Sequence, residues 1–173
     1  MEKTRQEILA QLLKSYEAYY NIQMFDDEQK PLTARCEFFE HSQKYVLSKK
    51  AELWAVDSEE FLYLLDVPHL TLEIFRKWKD WVCEDGMKRL HIGPGHMYSA
   101  ITLVFVCDTC GEDARKALKR CRLYKSFHFS LYGWMNLHTL MVEASTGRVD
   151  SNRVGAGAAK ILKKILTDKK RRS

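Results

Sequence analysis

The spacing of hydrophobic and polar positions changes along the chain, and each change predicts the boundary of an element. Residues 3–22 carry apolar side chains at helical spacing, which predicts an amphipathic helix. Turn-forming residues and a proline at 26–31 end this pattern. Three β-rich runs then predict an antiparallel meander, because only short polar turns separate them. The predicted strands are 32–40, 45–56 and 61–67, with turns at 41–44 and 57–60.

The middle of the chain predicts a helix, a buried strand and a second helix. Helical spacing returns at 71–85, and Gly86 is placed to cap the C-terminus of that helix. An apolar, β-branched run at 99–107 predicts a buried strand. The sequence Thr109-Cys110-Gly111-Glu112 follows it and fits a capping box, so we expect a helix to begin there.

The last part of the chain predicts further strands and a closing helix. Apolar and polar residues alternate from 124, which predicts strands over 124–146, interrupted at Gly133-Trp134 by a turn or a bulge. A final helix is predicted at 153–167. The order α-β-β-β-α-β-α-β-β-α predicts a single α+β domain over residues 1–173. We expect a mixed sheet with an N-terminal antiparallel meander and helices packed on the sheet.

Composition agrees with a soluble globular domain. Hydrophobic residues make up 46% of the 173 residues and charged residues 29%, a balance that excludes a disordered chain. No apolar run approaches the roughly 20 residues that span a bilayer, so we expect no membrane partner. The N-terminus is charged and lacks a signal-peptide core, which favours a cytoplasmic location. Five cysteines without dense spacing favour reduced thiols.

The positive charge is concentrated at the C-terminus. The chain carries a net charge of +5, and its basic tail at about 168–173 contains Lys169, Lys170, Arg171 and Arg172. Such a tail attracts nucleic acid or another anionic partner. The alternative is a solvated helix end whose cations interact with the helix dipole.

The junction after the buried strand is the first candidate for a catalytic site. Asp108 stands at the carboxyl end of that strand, where a carboxylate can bind a metal or act as a base. Its alternative role is to bond a free N–H at the helix entry. Cys107 and Cys110 have the spacing of a thioredoxin-like redox pair, and the first turn of a helix would lower the pKa of Cys110. The alternative is two buried thiols that act as small hydrophobes.

The same cysteine pair is also half of a structural zinc site. Completing that site would require the fold to bring in further ligands. The available residues are Cys83, Cys121, His91 and His96.

Histidines provide two further ligand-binding candidates. His91 and His96 flank Gly93-Pro94-Gly95, whose glycines allow a ligand to approach the backbone, but we expect His96 at the opposite strand end from Asp108. His128 and His138 lie five residues on either side of Gly133, so a hairpin centred there would make them face each other. Such a pair could bind metal or transfer protons. The alternative is a solvated polar face of the sheet.

The element order also resembles the core of restriction-endonuclease-like enzymes, which hold a divalent metal with an acid and an acid-x-lysine triplet. None of the candidate acids forms such a triplet, because Glu52-Leu53-Trp54 lacks the lysine and the predicted strand 61–65 carries no charge. A shared architecture does not by itself imply activity. The acids available to such a site are Glu37, Glu40, Glu52, Asp57 and Asp66, with Lys49 and Lys50 nearby.

Three segments resemble an uncharacterised bacterial protein family found in Firmicutes, and the resemblance covers most of the chain. The segments are Val46-Leu47-Ser48-Lys49-Lys50-Ala51-Glu52-Leu53-Trp54, Gly93-Pro94-Gly95-His96-Met97-Tyr98 and Ser126-Phe127-His128-Phe129-Ser130-Leu131. The resemblance implies a bacterial cytoplasmic protein and assigns no functional residue.

These observations favour a binding or regulatory module whose charged partner is nucleic acid. The first alternative is a metal-dependent hydrolase of nuclease type, and the second is a thiol redox protein using Cys107 and Cys110. No pattern in the sequence specifies a cofactor or an oligomeric state.

Overall fold

A computed structural model describes residues 3–43 and 55–168, with only the backbone described at 40–43 and 55–57. Four α-helices and seven β-strands follow one another along these residues. The helices are α1 (Arg5–Tyr16), α2 (Leu72–Arg89), α3 (Glu112–Arg120) and α4 (Ala156–Thr167). The strands are β1 (Asn21–Met24), β2 (Leu32–Gln43), β3 (Ala55–Leu70), β4 (His96–Cys110), β5 (Tyr124–Ser126), β6 (Trp134–Glu143) and β7 (Arg148–Ser151).

The strands form one mixed sheet in the order β1-β2-β3-β4-β6-β5, and β7 also pairs with β6. β1, β2 and β3 are antiparallel, which confirms the N-terminal meander. β3, β4 and β6 are parallel to one another, because α2 and α3 form crossovers between them. β5 and β7 both run antiparallel to β6 and share one edge of the sheet.

Helices cover both faces of the sheet, so the predicted α+β domain is confirmed as a three-layer arrangement. The first face packs against α2 and α3 through residues such as Phe75, Val82 and Leu118. The second face packs against α1 and α4 through residues such as Leu12 and Leu162. The central strands are apolar on both sides because they are buried on both faces. No helix in the described part of the chain is long and apolar enough to cross a membrane.

A capping box begins α1, whereas two predicted helix boundaries are wrong, at the start of α3 and at the end of α2. Thr4 and Glu7 form a capping box that begins α1. The capping box predicted at Thr109 is wrong, because β4 continues to Cys110 and Gly111 is the N-cap of α3. Gly86 does not cap α2 but lies inside it, packed against the sheet.

Other element boundaries also differ from the prediction. The turn predicted at 57–60 is wrong, because these residues continue β3 and two glutamates in them find polar partners. Most of the predicted strand 45–56 lies outside the described residues. Only Ser126 of the alternating segment 126–131 belongs to a strand, and 127–131 lie in the turn after β5, where His128, Phe129 and Ser130 adopt positive φ. The first helix ends at Tyr16, and β1 occupies the end of the predicted helix 3–22.

Helix and strand lengths leave part of the second face without a helix. α1 and α4 have 12 residues each and are therefore about 18 Å long. β4 has 15 residues and extends over about 50 Å. Apolar rows such as Leu64, Val104 and Leu140 lie under the helices. Toward the N-terminal ends of β3, β4 and β6, the same face carries polar and aromatic side chains. Hydrogen bonds link several of these side chains to one another.

Candidate functional site

The strand-to-helix junction holds its cysteines as buried thiols. Cys107 is fully buried and donates to the Val142 carbonyl at 3.6 Å. Burial raises the pKa of Cys107 to about 12, and burial also raises the pKa of Cys110. The low pKa expected for Cys110 is therefore wrong, because desolvation outweighs the influence of the helix start. All five cysteines of the chain are free thiols.

Asp108 contributes to an ion pair that attaches α1 to the sheet. Arg5 lies 2.8 Å from Asp66 and 2.8 Å from Asp108, so one guanidinium bridges the carboxyl ends of β3 and β4. The Asp108 side chain is 56% exposed. It does not cap α3, since Gly111 occupies that position. Asp108 therefore helps to hold α1 against the sheet through its ion pair with Arg5.

A buried ion network occupies the same end of the sheet. Arg115 on α3 is 6% exposed, and its Nη2 lies 3.0 Å from both carboxylate oxygens of Glu143. Its Nη1 donates to Asp150 on β7. Burial alone would raise the pKa of Glu143, but hydrogen bonds from Thr146 and Arg115 outweigh it and lower that pKa. The sequence pattern did not indicate this network, because Arg115 lies 28 residues from Glu143 and 35 residues from Asp150 in the sequence.

His96 lies at the opposite end of β4 from Asp108, as expected, and both His96 and His91 lie near the buried Glu59 carboxylate there. Glu59 accepts from the Ser99 hydroxyl at 2.8 Å and lies 2.7 Å from Nδ1 of His91. Nε2 of His96 lies 2.6 Å from the same hydroxyl. His96 and Ser99 are buried, whereas the His91 ring is 73% exposed. This network therefore lies on the first face of the sheet, at the N-terminal end of β4.

His128 and His138 do not form the predicted cross-strand pair. His128 lies in the turn after β5 and stacks on Tyr132 with 4.7 Å between ring centroids. His138 lies on β6, directly beside Thr102 of β4 on the second face. A hairpin does form, but the predicted centre at Gly133 is wrong, because Ser126 pairs with Trp134 and His128 therefore lies in the turn between β5 and β6.

His138 instead belongs to a chain of hydrogen bonds across three strands on the second face. The Tyr98 hydroxyl lies 2.9 Å from Nε2 of His138, and Nδ1 of His138 is 3.5 Å from the Thr102 hydroxyl. Thr102 donates to Glu60 at 2.6 Å, and Tyr20 donates to the other Glu60 oxygen at 2.6 Å. Burial lowers the pKa of His138, and the nearby Glu60 carboxylate opposes that shift.

Asn136 lies on β6 on the same face as this chain, toward the edge of the sheet. Burial raises the pKa of Tyr98, and the neighbouring Asn136 side chain opposes the shift. Asn136 lies opposite Tyr124 of β5, so both side chains are on the second face. We call the four residues in the series Glu60, Thr102, His138 and Tyr98 the polar chain.

Two neighbouring depressions lie along the edge formed by β5 and β7. The first, of about 330 Å³, is lined by side chains of α3 and the start of β7, five of them basic and one acidic. The second, of about 310 Å³, combines two arginines with Tyr124, Asn136 and apolar side chains. Arg120 lines the first and Cys121 the second, so the two are adjacent. We call the exposed cations around them the basic edge, namely Lys116, Lys119, Arg120, Arg122, Arg148 and Arg153.

Charge pairing leaves an excess of cations on the basic edge. Asp150 lies 2.9 Å from Arg148 and 4.0 Å from Lys119. With Arg115 and its acidic partners Glu112 and Glu143, these residues make a network of three cations and three carboxylates. In the part of the chain that the structure describes, the remaining cations form no ion pair within 4.0 Å. They are Lys116, Arg120, Arg122 and Arg153.

The predicted nucleic-acid residues of the tail, Lys169, Lys170, Arg171 and Arg172, lie outside the described residues. Of the acids considered for a nuclease, Glu37 pairs with Arg35, and Asp66 pairs with Arg5. The described residues contain no group of three or more metal-ligating side chains placed to hold an ion. The side chains of Glu40, Glu52, Asp57 and the nearby Lys49 and Lys50 lie outside the described part.

The fold and these surfaces define a single-domain α+β protein with a two-sided core, a polar chain on one face and a basic edge. A family model described as a domain of unknown function (DUF8052) matches residues 4–164. The chain belongs to this family, which agrees with the resemblance to an uncharacterised family. No curated protein and no solved structure gives a significant match.

Proposed function

We propose that this domain is a binding module for an anionic partner, and that single-stranded nucleic acid binds along the basic edge. The observation that carries the proposal is the excess of four exposed cations around two adjacent depressions. Nucleic acid releases counterions when such cations neutralise its phosphates, and this release provides most of the affinity of sequence-independent binding.

The shape of the edge favours a single strand over a duplex. Tyr124 is 60% exposed beside Arg122, so its ring is available to a base that is not paired. Proteins that bind single strands combine a positively charged groove with aromatic rings on which bases stack. The second depression has both components, and the first continues the row of cations along α3.

A regulatory role in a bacterial cytoplasm is part of the same proposal. It is supported by the free thiols, which agree with a reducing compartment. No described contact favours the metal-dependent hydrolase. The raised pKa of both junction cysteines argues against a thiol redox role, because the thiolate is the reactive form.

The test compares two variants that each remove four positive charges. The edge variant carries Lys116→Ala, Arg120→Ala, Arg122→Ala and Arg153→Ala, and the tail variant carries Lys169→Ala, Lys170→Ala, Arg171→Ala and Arg172→Ala. Fluorescence anisotropy with a labelled 12-nucleotide single strand gives the affinity of each. We expect the edge variant to lose at least about tenfold in affinity, and more than the tail variant. Equal binding by the edge variant and the unaltered protein would assign binding elsewhere, and no binding at low salt by the unaltered protein would overturn the proposal.

A further inference from the structure

Three aromatic side chains lie on the second face of the sheet, next to the second depression. Trp134 of β6 is directly opposite Tyr98 of β4, and their ring centroids are 6.0 Å apart. Tyr124 of β5 pairs with Asn136, so Tyr124 and Trp134 are diagonal neighbours, within reach of each other for aromatic side chains. We call Tyr124, Trp134 and Tyr98 the aromatic row. It crosses three adjacent strands, starting at the edge of the sheet.

The aromatic row lies outside the area of the second face that α4 covers. Core packing under α4 extends to Leu140 on β6, and Gly155 at the start of α4 adjoins His138. Trp134 lies four residues before His138 on the same strand, beyond the start of the helix. The rings of the row therefore reach the surface. Tyr124 is 60% exposed, and the other two side chains are half-buried.

The polar chain holds the ring of Tyr98 along the sheet. Tyr98 and Thr102, the residue paired with His138, are about 13 Å apart along β4. The Tyr98 hydroxyl nevertheless lies 2.9 Å from Nε2 of His138, so the two side chains extend toward each other. The Tyr98 ring therefore passes over Ala100, which is only 4% exposed. A ring fixed in this way loses little freedom when a ligand stacks on it, and this favours binding.

We propose that bases of the bound single strand stack on the aromatic row while its phosphates follow the basic edge. The inference rests on the proposed function and identifies where the bases bind. Tyr124 lines the second depression together with Arg122 and Arg153, so the first ring of the row and two cations share one surface. Aromatic rings on a sheet face bind unpaired bases of any sequence, because every base has a π face. The ligand is therefore a strand with unpaired bases and no required sequence.

The experiment compares a labelled 12-nucleotide thymidine strand with an abasic strand of the same length and charge by anisotropy at low salt. Both strands offer the same phosphates, so the ratio of their affinities measures stacking. We expect the unaltered protein to bind the thymidine strand at least about tenfold tighter. Trp134→Ala should weaken thymidine binding at least about fivefold and leave abasic binding unchanged, because one stacked base is lost.

Trp81→Ala is the control, since Trp81 is 40% exposed on α2, at the first face, and the change should leave the ratio of affinities as it is. Thermal unfolding shows that each variant is folded at the assay temperature. If Trp134→Ala leaves the ratio unchanged, the aromatic row is wrong, whether or not both affinities fall. Equal binding of the two strands by the unaltered protein also overturns the row, while phosphate binding at the basic edge stands. Failure of both strands to bind overturns the row and the proposed function together.

Tryptophan fluorescence provides a second measurement, which a purely structural role of Trp134 would not affect. The chain has four tryptophans, and a base stacked on an indole ring quenches its emission. We expect the thymidine strand to quench part of the emission of the unaltered protein, and the abasic strand to leave it unchanged. Trp134→Phe keeps an aromatic ring but should lose this quenching, whereas Trp81→Phe should retain it. Quenching that persists in Trp134→Phe would place the bases elsewhere and overturn the row.

Discussion

Nη2 of Arg115 lies 3.0 Å from both carboxylate oxygens of Glu143, and both side chains are buried between α3 and the end of β6. A buried charge that loses its partner is costly, because the remaining ion is neither solvated nor paired. Asp150 is the second carboxylate of Arg115. The pairing therefore ties α3 to both β6 and β7, under the basic edge.

Arg115→Leu should lower the free energy of unfolding by about 3 kcal/mol, because it leaves the buried Glu143 carboxylate without its cation and removes one of the cations around Asp150. Urea denaturation followed by circular dichroism measures the change. Lys116→Leu is the control on the same helix, since Lys116 is exposed, and it should stay within about 0.5 kcal/mol. Equal effects of the two changes would contradict the assignment of the ion network.

Gly86→Ala should destabilise the domain by about 1–3 kcal/mol through overpacking. A methyl group at this position would lie 2.8 Å from Cδ1 of Ile101, in the contact between α2 and β4. Gly157→Ala in α4 is the matched control, because nothing lies within 4 Å of the added methyl group. That change should stabilise the protein by about 0.5–1 kcal/mol, since alanine favours helix formation. Calorimetric unfolding of both variants gives the comparison.

Cys107 and Cys110 should react slowly with iodoacetamide at pH 7 in the folded protein. With a pKa of about 12, Cys107 carries about one thiolate in 10⁵ molecules at that pH. Mass spectrometry of the labelled peptides measures the rates, with the denatured protein as the control in which all five cysteines react. Rapid native labelling of Cys110, or a reversible disulfide between the pair, would support the redox hypothesis instead.

The folded state should lose stability as the pH falls below about 6.5, in part through His138. Burial lowers the pKa of His138 in the folded protein, so the unfolded chain binds its proton first. The stability that the neutral His138 ring contributes is complete above the pKa of His138 in the unfolded chain. It is lost as the pH falls through the lower pKa of His138 in the folded protein. Denaturation at pH 7.5 and pH 5.5 should show a smaller difference for His138→Gln than for the unaltered protein. An unchanged difference would mean that His138 is as easily protonated in the fold as outside it.

Periodicity predicted the helices and the buried strand 99–107, because an amphipathic face or a fully apolar run shows the side that is buried. It failed where polar residues find distant partners. Glu59 and Glu60 look like a turn, but Ser99 and Thr102 donate to them from the neighbouring strand and keep them in β3. The alternation around His128 failed for the opposite reason, since a turn with positive φ can have any polarity pattern.

The site could be predicted only in part. His138 was among the candidates, but its partners became visible only once the register placed Thr102 beside it. The basic edge has no local sequence pattern, because its cations come from α3, the segment before β5, the start of β7 and the segment after β7. The tail, a continuous run of charge, was the feature that sequence alone could identify.

The salt dependence of single-strand binding tests the central claim most directly. Each phosphate neutralised on a single strand contributes about −0.7 to the slope of log affinity against log salt concentration, so four cations contribute about −3. The slope for the unaltered protein should therefore be steeper by about 3 than the slope for the edge variant, whatever the tail contributes. Equal slopes for the two proteins would contradict the assignment of nucleic-acid binding to the basic edge.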